Sequence, residues 1–292
     1  MKIGFAGTGA MGNPMAQRLL SAGHELYVYN RTREKTAGLE RAGAVVSDSP
    51  AEAASEADIV FSMVTNNEAL TETALGERGI LSSLKAGATH IDCSTVLPAL
   101  TTQLYNDYKN AGRNFIHAPV LGSIPQATEG SLLIFPGGDK EVIEKLIPVL
   151  NLLSKKIWVF DAPAKSSAMK IALNSIIAGT ITMLSQSMTM VQKSGMQGET
   201  FLEILSHSVL NSQTMQFKGK TILEDNFEPR FTVENLLKDA VYMKEAAGDA
   251  GARSDLAELT IRLLKEAVDF GVGHEDYSAL VKIFMAGNKQ TP

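Results

Sequence analysis

The chain has 292 residues, of which 45% are apolar and 20% charged, and this is the composition of an ordinary globular protein of about two domains. Its formal net charge of −5 argues against a nucleic-acid or membrane-surface partner, because such partners select basic surfaces. The single cysteine, Cys93, excludes an internal disulfide and is typical of a reducing compartment, so we expect a cytoplasmic protein.

Short apolar runs alternate with amphipathic segments through the first half of the chain. Segments such as Pro14–Ala22 and Arg33–Ala42 read as helices, and continuous apolar runs read as strands buried on both faces. The predicted strands are Ile3–Ala6, Leu26–Tyr29, Ile59–Met63, His90–Asp92, Phe115–His117, Leu132–Pro136 and Ile157–Phe160. This alternation predicts βαβ units and a mostly parallel sheet with helices on both faces.

After about Asp161 the strand signals stop, and Leu, Ile, Met and Ala recur at helical spacing. The predicted helices are Ser166–Gly195, Glu199–Ser206, Val233–Ala250, Asp255–Phe270 and Tyr277–Met285. Gly195, Gly251 and Gly271 fall where helix C-termini are expected. The apolar stretch Ala168–Val191 is interrupted by polar residues, so we interpret it as a buried helix and not as a membrane span.

A glycine-rich turn follows the first predicted strand and opens the first helix. Gly7-Thr8-Gly9-Ala10-Met11-Gly12 has the pattern G-x-G-x-x-G, which places a pyrophosphate on a helix N-terminus. Gly7 makes the tight turn, Gly9 lets the backbone approach the ligand, and Gly12 lets helix and strand pack closely. The bland alternative is a glycine turn in some other α/β fold. The predicted fold is an α/β N-terminal Rossmann domain (1–162) plus an all-α C-terminal domain (163–292), joined by a long helix.

The end of the second strand predicts the cofactor. Enzymes that use NAD usually carry Asp or Glu here, but this chain has Asn30-Arg31-Thr32. Asn30 does not repel a 2′-phosphate and Arg31 can pair with one, so the sequence favours NADP(H) over NAD(H). The alternative is that Arg31 and Arg33 are merely solvated residues at a helix start.

Motifs along nearly the whole chain resemble those of the β-hydroxyacid dehydrogenase family, which includes 3-hydroxyisobutyrate dehydrogenases, tartronate semialdehyde reductases and glyoxylate/succinic semialdehyde reductases. The residues that carry the resemblance are Gly4–Gly12 with Met15-Ala16, Asp92–Thr95, Ala118–Ser123 with Ala127 and Gly130–Leu132, Lys170–Asn174, Phe231-Thr232 and Lys238-Asp239. Within the family, Asn30–Thr32, Gly122-Ser123 and Gln213–Lys220 are similar to the glyoxylate/succinic semialdehyde reductase branch.

The resemblance implies roles for individual residues. Lys170 and Asn174 match the catalytic K-x-x-x-N motif. Cofactor binding is assigned to Gly7, Gly9, Ala10, Met11, Gly12, Asn30, Arg31, Thr32, Val64, Thr65, Thr95 and Lys238. Substrate binding is assigned to Ser94, Thr95, Leu121, Gly122, Ser123, Phe231 and Asp239.

This chain departs from the family pattern at three places. Leu121 stands where the family usually has a serine that holds a substrate carboxylate, which leaves room for a less polar substrate. Residues 164–167 lack the glycines that usually precede the catalytic lysine, and Thr65-Asn66 replaces a common Leu-Pro pair.

Lys170 and Asn174 are one helical turn apart and therefore share a face. In a closed active site, Lys170 can donate a proton to the developing alkoxide, while a nicotinamide cofactor supplies the hydride. A snorkelling surface lysine is the alternative, but its apolar neighbours leave little room for an exposed face. The five histidines and Cys93 show no metal-ligand spacing, so no metal is expected.

The predicted function is NADPH-dependent reduction of a small-molecule carbonyl substrate, of the glyoxylate or succinic semialdehyde type. The alternatives are a 3-hydroxyacid dehydrogenase, another C=O or C=N reductase, and a non-catalytic NADP-binding module. The apolar helices of the second half predict a homo-dimer or homo-tetramer.

Overall fold

The computed structural model describes residues 1–287. The chain divides into two compact units, Met1–Lys170 and a second that begins at Ile171. The strands of the first unit are β1 (Lys2–Ala6), β2 (Glu25–Tyr29), β3 (Val45–Val46), β4 (Ile59–Ser62), β5 (Thr89–Asp92), β6 (Asn114–His117), β7 (Val120–Leu121), β8 (Leu132–Ile134) and β9 (Ser154–Ile157). Its α-helices are α1 (Gly12–Ser21), α2 (Ala37–Arg41), α3 (Pro50–Ser55), α4 (Asn67–Leu75), α5 (Ile80–Ser83), α6 (Pro98–Asn110), α7 (Ile124–Glu129) and α8 (Lys140–Leu150).

Six of these strands form one parallel sheet in the order β3-β2-β1-β4-β5-β6. This is the strand order of a dinucleotide-binding Rossmann domain. Every residue of β4 and β5 is buried, as expected for strands covered on both faces, and Phe5 stacks on Phe61 in the core. The order reverses between β1 and β4, which is where such sheets open a ligand crevice beyond the carboxyl ends of their strands.

A small second sheet, β7-β8-β9, follows the main one. The predicted strand Ile157–Phe160 is wrong in its bounds, because β9 covers Ser154–Ile157. Lys155 and Lys156 are exposed in this edge strand, so its apolar pattern is weak, and the apolar run Ile157–Phe160 drew the prediction three residues too far. The prediction also missed β3 and β7, which have only two residues each.

The second unit is helical in the part of the chain that the structure describes. Helix α9 (Pro163–Lys193) begins in the first unit and continues into the second. The other α-helices are α10 (Gly198–Ser206), α11 (Gln213–Leu223), α12 (Val233–Asp249), α13 (Asp255–Ala267) and α14 (Val281–Ala286). Gly195 and Gly251 have positive φ angles and lie two residues after the ends of α9 and α12, as predicted for helix C-termini. Gly271 also has a positive φ angle, but α13 ends four residues earlier, at Ala267.

Three helix predictions need correction, and one helix was not predicted. Arg33–Ala42 is a 3₁₀ turn (Arg33–Thr36) followed by α2, and Tyr277–Met285 is a 3₁₀ turn (Tyr277–Leu280) followed by α14. Helix α13 ends at Ala267 and gives way to a π-helical turn, Val268–Val272, because Gly271 has a left-handed backbone. The prediction did not include α11, in which polar residues and Gly219 dilute the apolar stripe.

Candidate active site

The glycine-rich turn lies between the end of β1 and the start of α1. Gly7 has φ +99°, and a Cβ on it would lie 2.2 Å from the Met63 carbonyl oxygen. A Cβ on Gly12 would lie 1.9 Å from the Gly7 carbonyl oxygen. Only glycine fits at these two positions, since backbone atoms cannot move out of the way of a side chain.

Gly9, the middle glycine of the turn, faces open space. A Cβ on Gly9 would meet nothing within 4 Å, whereas both of its partner glycines are enclosed. This is the arrangement that a backbone needs for close approach to a pyrophosphate at a helix N-terminus. The turn therefore fits a dinucleotide, with Ala10 and Met11 at the entrance to α1.

Of the polar side chains that follow β2, some make hydrogen bonds or ion pairs within the protein and others do not. Asn30 Oδ1 accepts a hydrogen bond from the Thr8 N–H at 3.0 Å, and its Nδ2 donates to the Thr32 carbonyl. Arg33 forms an exposed ion pair with Asp48. Arg31 is exposed and makes no hydrogen bond or ion pair with residues 1–287. The Arg31 guanidinium is therefore the cation that remains available at the end of β2.

Ser94 joins the turns that follow β4 and β5. Its Oγ donates to Asp92 Oδ1 at 2.7 Å and accepts from the Val64 N–H at 2.9 Å. The Ser94 side chain is fully buried, while Thr95 is half-buried and Thr65 is exposed. Ser94 therefore fixes the Val64 backbone, and Thr95 and Thr65 are the less buried hydroxyls beside it.

Asp92 is the centre of a buried polar network at the carboxyl ends of β4, β5 and β6. Its Oδ1 accepts from the Ser62 hydroxyl at 2.7 Å, and its Oδ2 lies 3.0 Å from His117 Nδ1. Burial opposes ionisation of Asp92, but the His117 hydrogen bond and charge and the Ser62 hydrogen bond outweigh it. The pKa of the Asp92 carboxyl is therefore lowered.

The directions of these hydrogen bonds assign the state of His90. Ser62 donates its only proton to Asp92, so Ser62 Oγ accepts from His90 Nε2 at 2.8 Å. His90 Nδ1 lies 2.7 Å from the Tyr108 hydroxyl. Burial lowers the pKa of His90 to about 4, so the ring is neutral at pH 7 and its Nδ1 accepts the Tyr108 proton.

Sequence reasoning missed this network, although a signal for it was present. Ser62 pairs with Asp92 and Asp92 with His117 in the sheet register, and His90 lies two residues before Asp92. Side chains two residues apart, or paired across neighbouring strands, share one face of a sheet. Four polar residues on one face of a buried sheet indicate a hydrogen-bonded network, because unpaired polar groups are costly there.

The segment Leu121–Ser123 leads from β7 into α7. Leu121 is half-buried, and Gly122 has φ +145°, a backbone conformation that favours glycine. The Ser123 N–H donates to Gln126 Oε1 at 2.9 Å, as in a capping box. The apolar Leu121 side chain thus directly precedes a backbone segment, Gly122-Ser123, that the Ser123–Gln126 hydrogen bond holds in place.

Lys170 lies in the second turn of α9 and is only 9% exposed. One turn earlier, the buried Ser167 donates its hydroxyl proton to the Val96 carbonyl. This bond ties the start of α9 to the segment that carries Ser94 and Thr95. The burial of the Lys170 residue argues against the alternative of a solvated surface lysine.

Asn174, one turn further along α9, is held by Asp239 of α12. Its Nδ2 donates to Asp239 Oδ2 at 2.6 Å, and Asp239 Oδ1 lies 2.9 Å from Lys238 Nζ. Asn174 Oδ1 is buried and has no hydrogen-bond partner within residues 1–287. The predicted residues Asn174, Lys238 and Asp239 thus form one cluster, which offers an amide oxygen as an acceptor.

The histidines and Cys93 are candidate metal ligands by residue type, because His and Cys side chains bind transition metals. Within residues 1–287, no group of three His, Cys, Asp or Glu side chains is arranged to hold a metal ion. Cys93 is buried, and burial raises the pKa of its thiol well above the ordinary value, which disfavours the reactive thiolate.

Two family models and a full-length relative match this chain. Residues 2–161 match the NAD binding domain of 6-phosphogluconate dehydrogenase, and residues 164–284 match the NAD-binding domain of NADP-dependent 3-hydroxyisobutyrate dehydrogenase. An uncharacterized oxidoreductase of Bacillus subtilis, YfjR, is 35% identical over 97% of this chain and 99% of its own length. The chain belongs to the β-hydroxyacid dehydrogenase family.

Other members of the β-hydroxyacid dehydrogenase family extend the comparison. The chloroplastic glyoxylate/succinic semialdehyde reductase 2 of Arabidopsis thaliana is 29% identical over 99% of this chain and 81% of its own length. The crystal structure of 3-hydroxyisobutyrate dehydrogenase from Salmonella typhimurium has a TM-score of 0.88 at 23% identity, covering 96% of this chain and 98% of that one. The predicted fold class is confirmed. The protein is an NAD(P)-dependent oxidoreductase that acts on CH–OH or C=O groups.

Proposed function

We propose that this β-hydroxyacid dehydrogenase uses NADPH to reduce small aldehydes of the glyoxylate or succinic semialdehyde type, with Lys170 as the general acid. The observation that carries this proposal is the burial of Lys170, which is only 9% exposed on α9, one turn before Asn174. Lysine is one of the side chains that serve as general acids, and protonation of an alkoxide is such a role. The similarity to a glyoxylate/succinic semialdehyde reductase supports the substrate class.

The reaction converts an aldehyde, a hydride and a proton into a primary alcohol. The glycine-rich turn would hold the dinucleotide, whose nicotinamide would supply the hydride when bound. Lys170 Nζ donates the proton to the carbonyl oxygen and stabilises the negative charge that develops there. Asp239 fixes the orientation of the Asn174 amide, whose Oδ1 accepts from the new hydroxyl group.

The remaining predicted residues bind the two ligands. The glycine-rich turn cradles the pyrophosphate, Arg31 pairs with the 2′-phosphate, and Val64, Thr65, Thr95 and Lys238 line the rest of the cofactor. Ser94 holds Val64 in place. The proposed substrate-binding residues are Thr95, Gly122 and Ser123 in the first unit and Phe231 and Asp239 in the second. Leu121 gives this part of the pocket an apolar wall, so uncharged aldehydes are the alternative substrates.

A second candidate is the opposite direction on another substrate, the oxidation of a 3-hydroxyacid to its semialdehyde. It is favoured by the match of residues 164–284 to the NADP-dependent 3-hydroxyisobutyrate dehydrogenase model. The same residues serve in this direction, because Lys170 as the free amine accepts the alcohol proton.

We also propose a soluble cytoplasmic homo-oligomer without nucleic-acid or membrane partners. Helix α9 is long and apolar enough to cross a membrane by length and composition, but 44% of its apolar window is buried inside the protein. The exposed residues of its second-unit part include Ile176, Met183 and Met190, spaced by seven, and a second copy of the chain is the proposed cover.

The decisive experiment follows NADPH oxidation with glyoxylate, succinic semialdehyde and uncharged aldehydes, with NADH in parallel. The opposite direction is followed as NADP⁺ or NAD⁺ reduction with 3-hydroxyisobutyrate. Lys170→Ala should lower kcat by about 10²–10⁴-fold while the Kd for NADPH stays within about twofold. The control is Lys165→Ala, which removes an exposed lysine of the same helix that pairs with Asp161 and should leave kcat unchanged. Undiminished turnover by Lys170→Ala contradicts the proposed acid, and inactivity of the wild type on all aldehydes contradicts the reductase.

A further inference from the structure

A buried ion pair in the second unit has no part in the chemistry described so far. Lys218 of α11 is only 5% exposed, and its Nζ lies 2.7 Å from Asp276 Oδ1. The other carboxylate oxygen of Asp276 is buried and has no hydrogen-bond partner among the described residues. The Asp276 charge therefore depends on Lys218, and such a pair is weak evidence for stability, since desolvation offsets its attraction.

Asp276 also organises the turn that follows it. Its Oδ1 accepts hydrogen bonds from the Ser278 N–H at 3.0 Å and from the Ser278 hydroxyl at 2.6 Å. Asp276 thus caps the 3₁₀ turn that begins at Tyr277. Lys218 Nζ lies 4.2 Å from the centre of the Tyr277 ring, which is within cation–π distance. One ammonium group therefore fixes both the cap and the first aromatic ring of the turn.

This turn is paired with the segment that leads into α12. The Tyr277 N–H donates to the Phe231 carbonyl at 2.9 Å, and the Asp276 N–H donates to the Phe227 carbonyl at 2.9 Å. Further along, the Val233 N–H donates to the Glu275 carbonyl. The rings of Phe231 and Tyr277 meet edge to face, with centroids 5.8 Å apart. Both the backbone and the ring of Phe231 are therefore held by Tyr277.

The same segment sets where α12 starts. Thr232 is the N-cap of α12, and its side chain accepts from the Asn235 N–H at 3.2 Å. Lys238 and Asp239 lie one to two turns further along this helix. A shift of the segment 227–234 would therefore move Phe231 and the start of the helix that carries Asp239.

We propose that Lys218, Asp276 and Tyr277 form a positioning clamp for Phe231 and the first turn of α12. The clamp rests on the proposed function, in which Phe231 and Asp239 are substrate-binding residues. It acts through these two residues and does not touch the reacting atoms. Loosening the clamp should weaken aldehyde binding while cofactor binding at the glycine-rich turn is retained.

The test compares two substitutions of Tyr277 with a charge-neutral double variant. Tyr277→Leu removes the ring that holds Phe231, whereas Tyr277→Phe keeps the ring and should restore wild-type behaviour. Lys218→Met/Asp276→Asn removes both charges together, so that no unpaired buried charge is left to unfold the protein. We expect KM for glyoxylate or succinic semialdehyde to rise at least tenfold in Tyr277→Leu and in the double variant. The Kd for NADPH should change less than twofold.

Hydrogen exchange of the peptide covering residues 227–237 gives a second readout that needs no substrate. Exchange should be faster in Tyr277→Leu and in the double variant than in the wild type, and unchanged in Tyr277→Phe. An unchanged KM in a folded, active Tyr277→Leu variant overturns the clamp, as does unchanged exchange in both loosened variants. If the wild type reduces no aldehyde, the proposed function fails, and the exchange data alone then decide whether the clamp holds the segment.

Discussion

Asn30 illustrates how neighbouring side chains at the end of β2 differ in their contacts within the protein. Both ends of its amide are engaged within the protein, with the Thr8 N–H and with the Thr32 carbonyl. Asn30 therefore braces the glycine-rich turn against β2. Arg33 is paired with Asp48, so Arg31 carries the available positive charge at this position. Selectivity for a 2′-phosphate should consequently depend on Arg31.

We expect Arg31→Ala to raise the Kd for NADPH by about 10–100-fold, since a hydrogen bond to a charged group contributes about 1.5–3 kcal/mol. The Kd for NADH should change less than threefold, because NADH lacks the 2′-phosphate. Fluorescence titration of both cofactors measures the two constants. Arg33→Ala is the matched control and should change neither of them more than threefold. Equal weakening of both cofactors by Arg31→Ala would refute the assignment.

His90 links residue-scale chemistry to the stability of the first unit. Its pKa of about 4 in the folded protein, caused first by burial, lies below the ordinary value of 6.5. Between these two values the unfolded chain binds a proton at His90 that the folded chain does not. The free energy of unfolding should therefore fall as the pH drops from 6.5 to 4, by about 3 kcal/mol from this group.

Urea denaturation at several pH values tests this expectation. The wild type should lose stability across the window from pH 6.5 to 4, and His90→Gln should show a much flatter profile there. Asp92 contributes in a different window, because its lowered pKa removes stability only as the pH falls below its ordinary value near 3.8. His207→Gln removes an exposed histidine and should keep the wild-type profile. A profile of His90→Gln as steep as that of the wild type would refute the assignment.

At the scale of elements, the turn between β1 and α1 separates folding from binding. Gly12 is required for packing, because its missing Cβ would collide with the Gly7 carbonyl. Gly9 faces open space and its backbone does not require glycine, so we expect that its lack of a side chain serves ligand binding. The two glycines of one motif therefore serve different physical ends.

This separation predicts opposite effects of the same substitution. Gly9→Ala should keep the wild-type Tm within a few degrees and weaken NADPH binding at least tenfold, because the new methyl group occupies the approach of the pyrophosphate. Gly12→Ala should lower the Tm markedly, because backbone atoms must shift to admit the methyl group. Differential scanning fluorimetry with and without NADPH measures both effects. A Gly9→Ala protein with full cofactor affinity would show that the pyrophosphate lies elsewhere.

Local patterns predicted the elements that are long or strongly apolar and failed for the others. The buried strands β1, β4 and β5 stand out because burial on both faces of a sheet demands apolar runs, and helix α9 stands out by its length and apolar composition. Strand β9 was misplaced because its exposed edge permits Lys155 and Lys156, and α11 was missed because its stripe includes Lys218. Lys218 is buried only through its pairing with Asp276, 58 residues away, and local spacing cannot reveal such a partner.

In the candidate site, too, features that are local in sequence were predicted and contacts between distant residues were not. The glycine turn follows from local spacing, and Lys170 and Asn174 were assigned through the family resemblance to a motif within one helix. The network around Asp92 joins three strands, so it appears only when the strand register is known. Likewise, the bond between Asn174 and Asp239 joins two helices 65 residues apart. Their roles in catalysis stay predictions until the variants are assayed.

At the scale of the whole molecule, we expect the exposed apolar face of α9 to be covered by a second copy of the chain. Residues 171–192 include no charged side chain, and Ile176, Met183 and Met190 are 66%, 59% and 62% exposed. The small residues Ala172 and Gly179 lie four residues before Ile176 and Met183, so they lie on the same face of the helix. An antiparallel copy of α9 would set Ile176 against Gly179 and Met183 against Ala172, and each contact occurs twice, as a two-fold interface requires.

A charge placed in this face should therefore prevent self-association. We expect the wild type to be a dimer or tetramer by analytical ultracentrifugation and Met183→Glu to shift toward the monomer, because a buried unpaired carboxylate is strongly unfavourable. Val209→Glu adds the same charge at a fully exposed apolar residue of the second unit and should leave the oligomer intact. A monomeric wild type would refute the interface, and an oligomer that survives both substitutions would place the contact on another surface. If wild-type protein sediments with added lipid vesicles and Met183→Glu does not, the α9 face binds membranes and the proposed second copy is wrong.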